Sequence, residues 1–396
     1  MSLDKTLLTV VRGGEVFAPE HLGRRDILIA DGRIAQIAER IELSGVAFET
    51  VDASDCCVVP GFVDALVHIT GGGGEGGFRT RTPEMNLSDA TLAGVTTVVG
   101  VLGTDAVTRT LSNLLAKAHA LCEDGLSVYC HTGSYQIPAI TLTGSVQQDL
   151  LFIDKFIGVG EVAIADHRSS QPSLQELRRL AADARVGGML AGKAGIVNVH
   201  VGDGAERLDL LEAVVAGTDL PRRQFYPTHI NRTAQLLDAG FDWLARGGVI
   251  DFTTSTTPEI LAAGEVKCSR ALAMAKARGL DLGAITFTSD GHASLPRFDR
   301  DGELVGLQVG RLDSLWAEVR DAIVDEGLAF SEALAVITAN PARVLKLPQK
   351  GRIRVGGDAD LVLLSRGTLS VDSVLAGGRR MVREGRAVVR GLFEQG

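Results

Sequence analysis

The sequence contains no run of about 18 apolar residues and no signal-peptide pattern. A helical membrane span is therefore not expected, and neither is a membrane partner. Positive charge is also short. Forty Lys and Arg stand against 49 Asp and Glu, leaving a net charge of −9, and an acidic balance argues against nucleic acid as a partner. Cysteine is scarce. The five present (Cys56, Cys57, Cys122, Cys130 and Cys268) are odd in number and irregularly spaced. They read as reduced, mostly buried thiols of a cytoplasmic protein rather than a disulfide framework. The adjacent pair Cys56-Cys57 reads as core. What the chain does have is 47 glycines and a hydrophobic content of 45%, enough for a large core with many tight strand–helix junctions. Its 396 residues exceed one simple core and suit a barrel of roughly 250 residues with an accessory domain.

Short β-type runs fill the first 58 or so residues: Leu7–Val11, Asp26–Ala30 and Arg33–Ile37, with the hairpin signal Asp31-Gly32 between the last two. The last 50 or so repeat the style, with Asp358–Leu364 as a strand and Ser373–Val382 as strand, turn, strand. Neither end can bury its apolar face alone, so the two ends are expected to pair into one small β-domain. Between them, strands predicted at 61–68, 95–102, 126–133, 157–164, 196–200, 224–229, 248–253 and 284–289 alternate with amphipathic helices. Four of these helices are placed at Thr108–Asp124, Ser173–Ala184, Ala205–Ala216 and Ile260–Arg278. That alternation predicts a (β/α)₈ TIM-like barrel. The expected division is 1–58 and 346–396 for the β-domain and 59–345 for the barrel.

In such barrels chemistry sits at the C-terminal strand ends. Here those ends are unusually polar. The first reaches His68, the fourth carries Glu161, the fifth ends at His200, the sixth at His229 and the eighth at Asp290. Nitrogen and oxygen donors from separate strand ends, with a carboxylate to spare, are what a catalytic divalent metal needs. His131 and His167 also lie at strand ends and are expected to hold structural hydrogen bonds. His21, His119 and His292 look exposed or loop-borne.

Seven segments then carry a resemblance: Gly71-Gly72-Gly73-Gly74-Glu75, Arg81-Thr82-Pro83-Glu84, Gly103-Thr104-Asp105, Thr132-Gly133-Ser134-Tyr135, Ile164-Ala165-Asp166-His167-Arg168, Pro227-Thr228-His229-Ile230-Asn231-Arg232 and Ser289-Asp290-Gly291. With these, the chain resembles the isoaspartyl dipeptidases of the amidohydrolase superfamily over essentially its whole length. The resemblance implies cleavage of the isopeptide bond of β-aspartyl dipeptides by a water activated at a metal centre, in a homo-oligomer. It makes His200 and His229 ligands of the deeper metal and Asp290 the general base. Tyr135 would lean on the substrate carbonyl, and Glu75 would meet the substrate ammonium. Arg168 and Arg232 would clamp carboxylates, with Thr104 and Ser294 beside the substrate. The chemistry of the residues agrees, since an arginine fork suits a carboxylate and glycines let backbone approach closely. A plainer structural reading stays open for some of them. The arginines would then pair with acidic neighbours, Tyr135 would be a wall, and Gly71–Gly74 a flexible loop.

Two positions depart from the family pattern. Leu66 stands in Asp64-Ala65-Leu66-Val67-His68 where the superfamily has the first of two histidines, and Glu161 replaces the lysine that the family carbamylates. Glutamate is shorter than a carbamylated lysine and is expected to reach only the deeper metal. One tightly held Zn²⁺ at Glu161, His200 and His229 is therefore expected, with a second, weaker position near His68 and Asp290. Glutamate also removes any need for bicarbonate in assembling the site. Two alternatives remain. One is a single-metal deacetylase or amidohydrolase acting on another N-acyl amino acid or a cyclic amide. The other is a non-catalytic ligand-binding relic, against which the retained Asp290 speaks.

Overall fold

The computed structural model describes residues 8–298 and 304–395; Leu7, the start of the first expected strand, lies outside them. Among the described residues, parallel strands run at Phe62–Val67, Val95–Gly100, Ser127–Thr132, Phe156–Ile164, Ile196–Val201, Phe225–Thr228, Ile250–Thr253 and Ile285–Thr288. The first six pair in sequence order in one sheet, and the last two pair with each other. Ile230 N donates to Asp251 O (3.1 Å) across the gap between the sixth and seventh strands. A parallel bridge between Val67 and Gly291 brings the last strand back to the first, with His68 N donating to Gly291 O (2.9 Å). The result is an α/β fold with a curled parallel sheet, TIM-barrel-like. Its strands are buried on both faces, which is why they read as near-continuous apolar runs.

The helices dock on this sheet through one apolar stripe each, and capping residues set their ends. Thr110 accepts from Asn113 N, so the second helix begins at Leu111 rather than Thr108. Ser173 and Glu176 form a reciprocal capping box, and the helix they open runs on to Ala191, past the expected end at Ala184. The third expected helix starts at Asp209. The single helix expected at 260–278 is two, Pro258–Ala262 and Cys268–Ala277, because the chain turns at Gly264 with φ 118°. An antiparallel pair, Ser294–Phe298 with Leu304–Val309, follows the eighth strand and had no sequence expectation.

A second sheet of nine strands draws on both ends of the chain. Leu8–Phe17, His21–Ala30, Arg33–Ala38, Glu49–Asp52 and Cys56–Pro60 join Leu361–Ser365, Val371–Ala376, Arg379–Arg383 and Arg386–Ala387. The seam is Cys56–Pro60 lying antiparallel to Leu361–Ser365, with Val58 opposite Leu363. Val11, Ile27, Val58, Leu361 and Leu375 share one apolar core beneath it. Cys56 and Cys57 are buried in this sheet, and burial pushes the Cys56 thiol up to about 11, so it is unreactive. Lys350, almost wholly buried, pairs with Asp358 (2.8 Å) and Asp360 (2.7 Å) and donates to Ser127 at the start of the third parallel strand. It thereby ties the two sheets together.

Candidate metal centre and substrate cavity

Glu161, His200 and His229 come from three successive strands, Glu161 from within its strand and the two histidines from the ends of theirs, and all are buried. Each offers a ligand atom, and all three atoms lie within 4.8 Å of one another. Glu161 Oε1 is 2.8 Å from His200 Nδ1 and 3.0 Å from His229 Nε2. Its other oxygen, Oε2, is buried without a hydrogen bond and stands 3.7 Å from His68 Nε2, which is 3.1 Å from Asp290 Oδ1. The carboxylate therefore faces both groups and not the deeper one alone. His229 and Asp290 are non-glycine residues held at φ 64° and 51°, a strained conformation that tends to mark functional positions. Leu66 is fully buried in the first strand.

Above the cluster opens a cavity of about 600 Å³ lined by His68, Glu75, Thr104, Tyr135, Arg168, Arg232, Asp290 and Ser294, among others. Every residue expected at the site from sequence is thus in the cavity wall or the cluster. The Tyr135 hydroxyl lies 2.8 Å from His200 Nδ1. Arg168 donates to Glu75 Oε1 (3.3 Å) and, through a fork, to both oxygens of Asp166 (3.0 and 2.7 Å). Thr104 and Ser294 donate to the two oxygens of Glu75 (3.3 and 3.1 Å). Arg232 stands 3.9 Å from Asp166.

The sequence profile of the Amidohydrolase family matches residues 57–381. The chain belongs to that family. It is similar to a solved structure of β-aspartyl dipeptidase from Fervidobacterium islandicum AW-1 in complex with β-Asp-Leu dipeptide. The identity is 43%, 97% of this chain and 98% of that one are covered, and the TM-score is 0.92. A second structure of the Fervidobacterium enzyme gives 41% identity, 96% and 98% coverage and a TM-score of 0.88. Among curated sequences it is 27% identical to the dihydroorotase of Pelotomaculum thermopropionicum, over 90% of this chain and 88% of that protein. A D-hydantoinase structure, 18% identical over 97% of each chain with a TM-score of 0.68, shares the fold.

As an amidohydrolase the chain is a hydrolytic enzyme of a metal-dependent family, and its donor set fits a metal. Two imidazoles and a carboxylate with a spare, unsatisfied oxygen suit a divalent ion such as zinc. Burial opposes ionisation of Glu161, yet His200 and His229 beside it hold its carboxyl well below the usual carboxylate range. Burial, helped by the charges of His200 and Arg232, pulls His229 down to about 4, so its ring is neutral and free to ligate. Burial keeps the Tyr135 proton on, with its pKa well above the ordinary value.

The sequence reasoning missed several groups of this amidohydrolase. Asp166 is one. Its Oδ2 lies 2.9 Å from His200 Nε2, and burial is outweighed there by His200 and Arg168, which drive its carboxyl far down. Thr253 Oγ1 similarly meets His229 Nδ1 at 2.6 Å. The available signals were a carboxylate five positions past Glu161 and a threonine closing the seventh parallel strand. Arg109 is another: it donates to the carbonyls of Thr70, Gly72 (3.0 Å) and Thr82 (2.8 Å) and so pins the glycine loop. A side chain at Gly71 (φ 76°) would strike Thr82 O at 2.4 Å. That glycine is required by packing against backbone, not by a ligand.

His131 is fully buried in the third parallel strand and leans on the Gly158 backbone of the next. Burial pulls it down to about 4, leaving it neutral. His292 is loop-borne, as expected, and buried, its Nδ1 3.1 Å from Pro83 O and its Nε2 3.2 Å from Asp89. His167 is exposed at the cavity wall, and His21 and His119 are exposed.

Proposed function

We propose that this amidohydrolase is a metal-dependent dipeptidase that cleaves the isopeptide bond of β-aspartyl dipeptides. One observation carries the reading. A three-ligand cluster stands beneath a cavity whose wall sets the carboxylate of Glu75 beside the guanidinium of Arg168, with Arg232 further round. A β-aspartyl dipeptide carries an ammonium and a carboxylate on its aspartyl side and a second carboxylate on the leaving residue. Glu75 receives the ammonium, Arg168 the aspartyl carboxylate and Arg232 the other. Glu75 and Arg168 satisfy each other in this structure; substrate charges replace those partners one for one. The similarity to the Fervidobacterium enzyme in complex with β-Asp-Leu supports the same substrate class.

Glu161, His200 and His229 would hold the metal, for which zinc fits the donors. A divalent metal there supplies Lewis acidity, polarising the amide carbonyl and acidifying a water. Asp290 takes the water's proton on a carboxylate oxygen and delivers it to the departing amine nitrogen. Tyr135 keeps its proton and donates toward the carbonyl oxygen, while Thr104 and Ser294 hold Glu75 in place.

The same reading takes one ion as tightly held, with a weaker position near His68 and Asp290. It closes the curled sheet into a (β/α)₈ barrel over 59–345, with 1–58 and 346–396 as one β-domain. The Val67–Gly291 bridge and the shared nine-stranded sheet support this. It makes the protein a cytoplasmic homo-oligomer. Five free cysteines support a reducing compartment. Exposed Phe152, Met189 and Leu190 on neighbouring helices supply an apolar face for a second copy.

A second reading, hydrolysis of an N-acyl amino acid or a cyclic amide, is favoured by the likeness to curated dihydroorotases and by the buried Leu66. The deciding experiment sets β-aspartyl-leucine against N-acetyl amino acids and cyclic amides, with metal content measured on protein purified without added metal. Preferred turnover of free β-aspartyl dipeptides, at one equivalent of zinc, is expected. Better turnover of acetylated substrates transfers the assignment to the second reading.

A further inference from the structure

The cavity wall beyond Arg232 is built by the segment after the seventh parallel strand. Helix Pro258–Ala262 gives way to a turn at Gly264, and Glu265 follows. Val266 N donates to Asn231 O (2.9 Å) and Asn231 Nδ2 returns a bond to Val266 O (3.1 Å). Asn231 precedes Arg232 and Val266 follows Glu265, so these bonds fix the two charged residues relative to one another. Both line the cavity, together with Ile260 and Ala263.

Glu265 has no use in the mechanism above. It lines the cavity half-buried, with Thr256 as its hydrogen-bonding neighbour. No described cation lies within ion-pair range of it. A half-buried carboxylate with a hydroxyl but no cation beside it is under-compensated, and one kept in a substrate cavity is placed to be completed by the substrate. We infer that Glu265 selects the amino acid released by the reaction, and that this residue carries a basic side chain, lysine or arginine. The inference rests on the β-aspartyl dipeptidase reading and narrows it. With Arg232 on the leaving residue's carboxylate, an aliphatic stem crosses Ile260 and Ala263 and its cationic head meets Glu265. Long basic side chains suit such a path, with apolar stem and charged tip. Burial pushes the Glu265 carboxyl up to about 7 against the pull of Thr256 and Arg232. A cation bound beside it stabilises the ionised form.

The test uses the holoenzyme and four substrates: β-aspartyl-lysine, β-aspartyl-arginine, β-aspartyl-norleucine and β-aspartyl-glutamate. Lysine and norleucine share a four-carbon stem and differ in the ammonium. The wild type should favour lysine over norleucine in kcat/KM by about tenfold to a hundredfold, the range of a charge-assisted bond, with glutamate poorest. Glu265→Gln should bring the lysine-to-norleucine ratio close to one. Inhibition by free L-lysine and L-norleucine gives a second readout on the wild type alone, lysine being the stronger inhibitor. Equal kcat/KM for lysine and norleucine, with norleucine efficiently cleaved, overturns the inference and leaves the dipeptidase reading standing. Cleavage of none of the four overturns both.

Discussion

Asp166→Asn should weaken metal binding without unfolding the protein. Glu161 Oε1 lies 2.8 Å from His200 Nδ1, so Nδ1 is the nitrogen turned into the cluster, while Nε2 meets Asp166 Oδ2 at 2.9 Å. Ligation through Nδ1 requires the proton to sit on Nε2, and the Asp166 carboxylate is the acceptor that keeps it there. The same carboxylate receives the Arg168 fork at 3.0 and 2.7 Å. Asparagine offers one neutral oxygen, for which His200 and Arg168 must compete, and Arg168 Nη2 already stands 3.3 Å from His200 Nε2. Losing such an anchor lowers metal affinity by about 10–100-fold, or about 1.4–2.8 kcal/mol. The assay strips the protein with a chelator and titrates zinc back against a competing chromophoric chelator, with far-UV circular dichroism as the check on folding. An affinity within about threefold of wild type, where such partners ordinarily matter at least tenfold, would refute the reasoning. Asp166 would then serve Arg168 alone.

Three further outcomes are expected. Asp290→Asn should keep its metal and lose activity by roughly 10²–10⁴-fold; joint loss of metal and activity in elemental analysis and kinetics would make Asp290 a ligand first. Arg232→Met should raise KM about tenfold or more for substrates with a free terminal carboxylate and change amidated ones little, as steady-state kinetics on the matched pair would show. The third concerns stability. Burial pushes the carboxyls of Asp64 and Asp251 up to about 7, from an ordinary value of about 3.9. The native state then binds more protons than the unfolded chain between those values, so this contribution is full at low pH and is lost as pH rises through about 7. Urea midpoints measured at pH 5 and pH 8 should fall with pH from this source, and Asp251→Asn should flatten the slope. An unchanged slope would remove Asp251 from the account.

The parallel strands were legible because burial on both faces leaves unbroken apolar runs, and the candidate ligands were legible because polar residues break those runs. Glu161, His200, His229 and Asp290 each interrupt such a run, and the structure brings the first three into one buried cluster with Asp290 in the cavity wall above it. Where the local signal is weak, the reading failed. Ile260–Arg278 carries helical spacing throughout, and the break at Gly264 depends on Asn231, a partner distant in sequence. Asp64 and Asp251 are the harder case. They lie inside strands, where only the interior shows that one takes Ser289 N (3.1 Å) and the other the hydroxyls of Thr228, Thr286 and Thr288.

The seam of the nine-stranded sheet has a consequence for how the chain comes to be folded. Cys56–Pro60 has one edge on Leu8–Phe17 and the other on a strand that begins only at Leu361. A ribosome making this protein completes the whole α/β portion before it supplies that second edge. Until then Val58 and its neighbours present an open strand with half a core, a template for pairing with another nascent chain. Closing so long a loop late also makes the step entropically expensive and slow. A circularly permuted chain, opened within the α/β portion so that 361–387 is made just ahead of 8–60, would turn this most distant pairing into a local one.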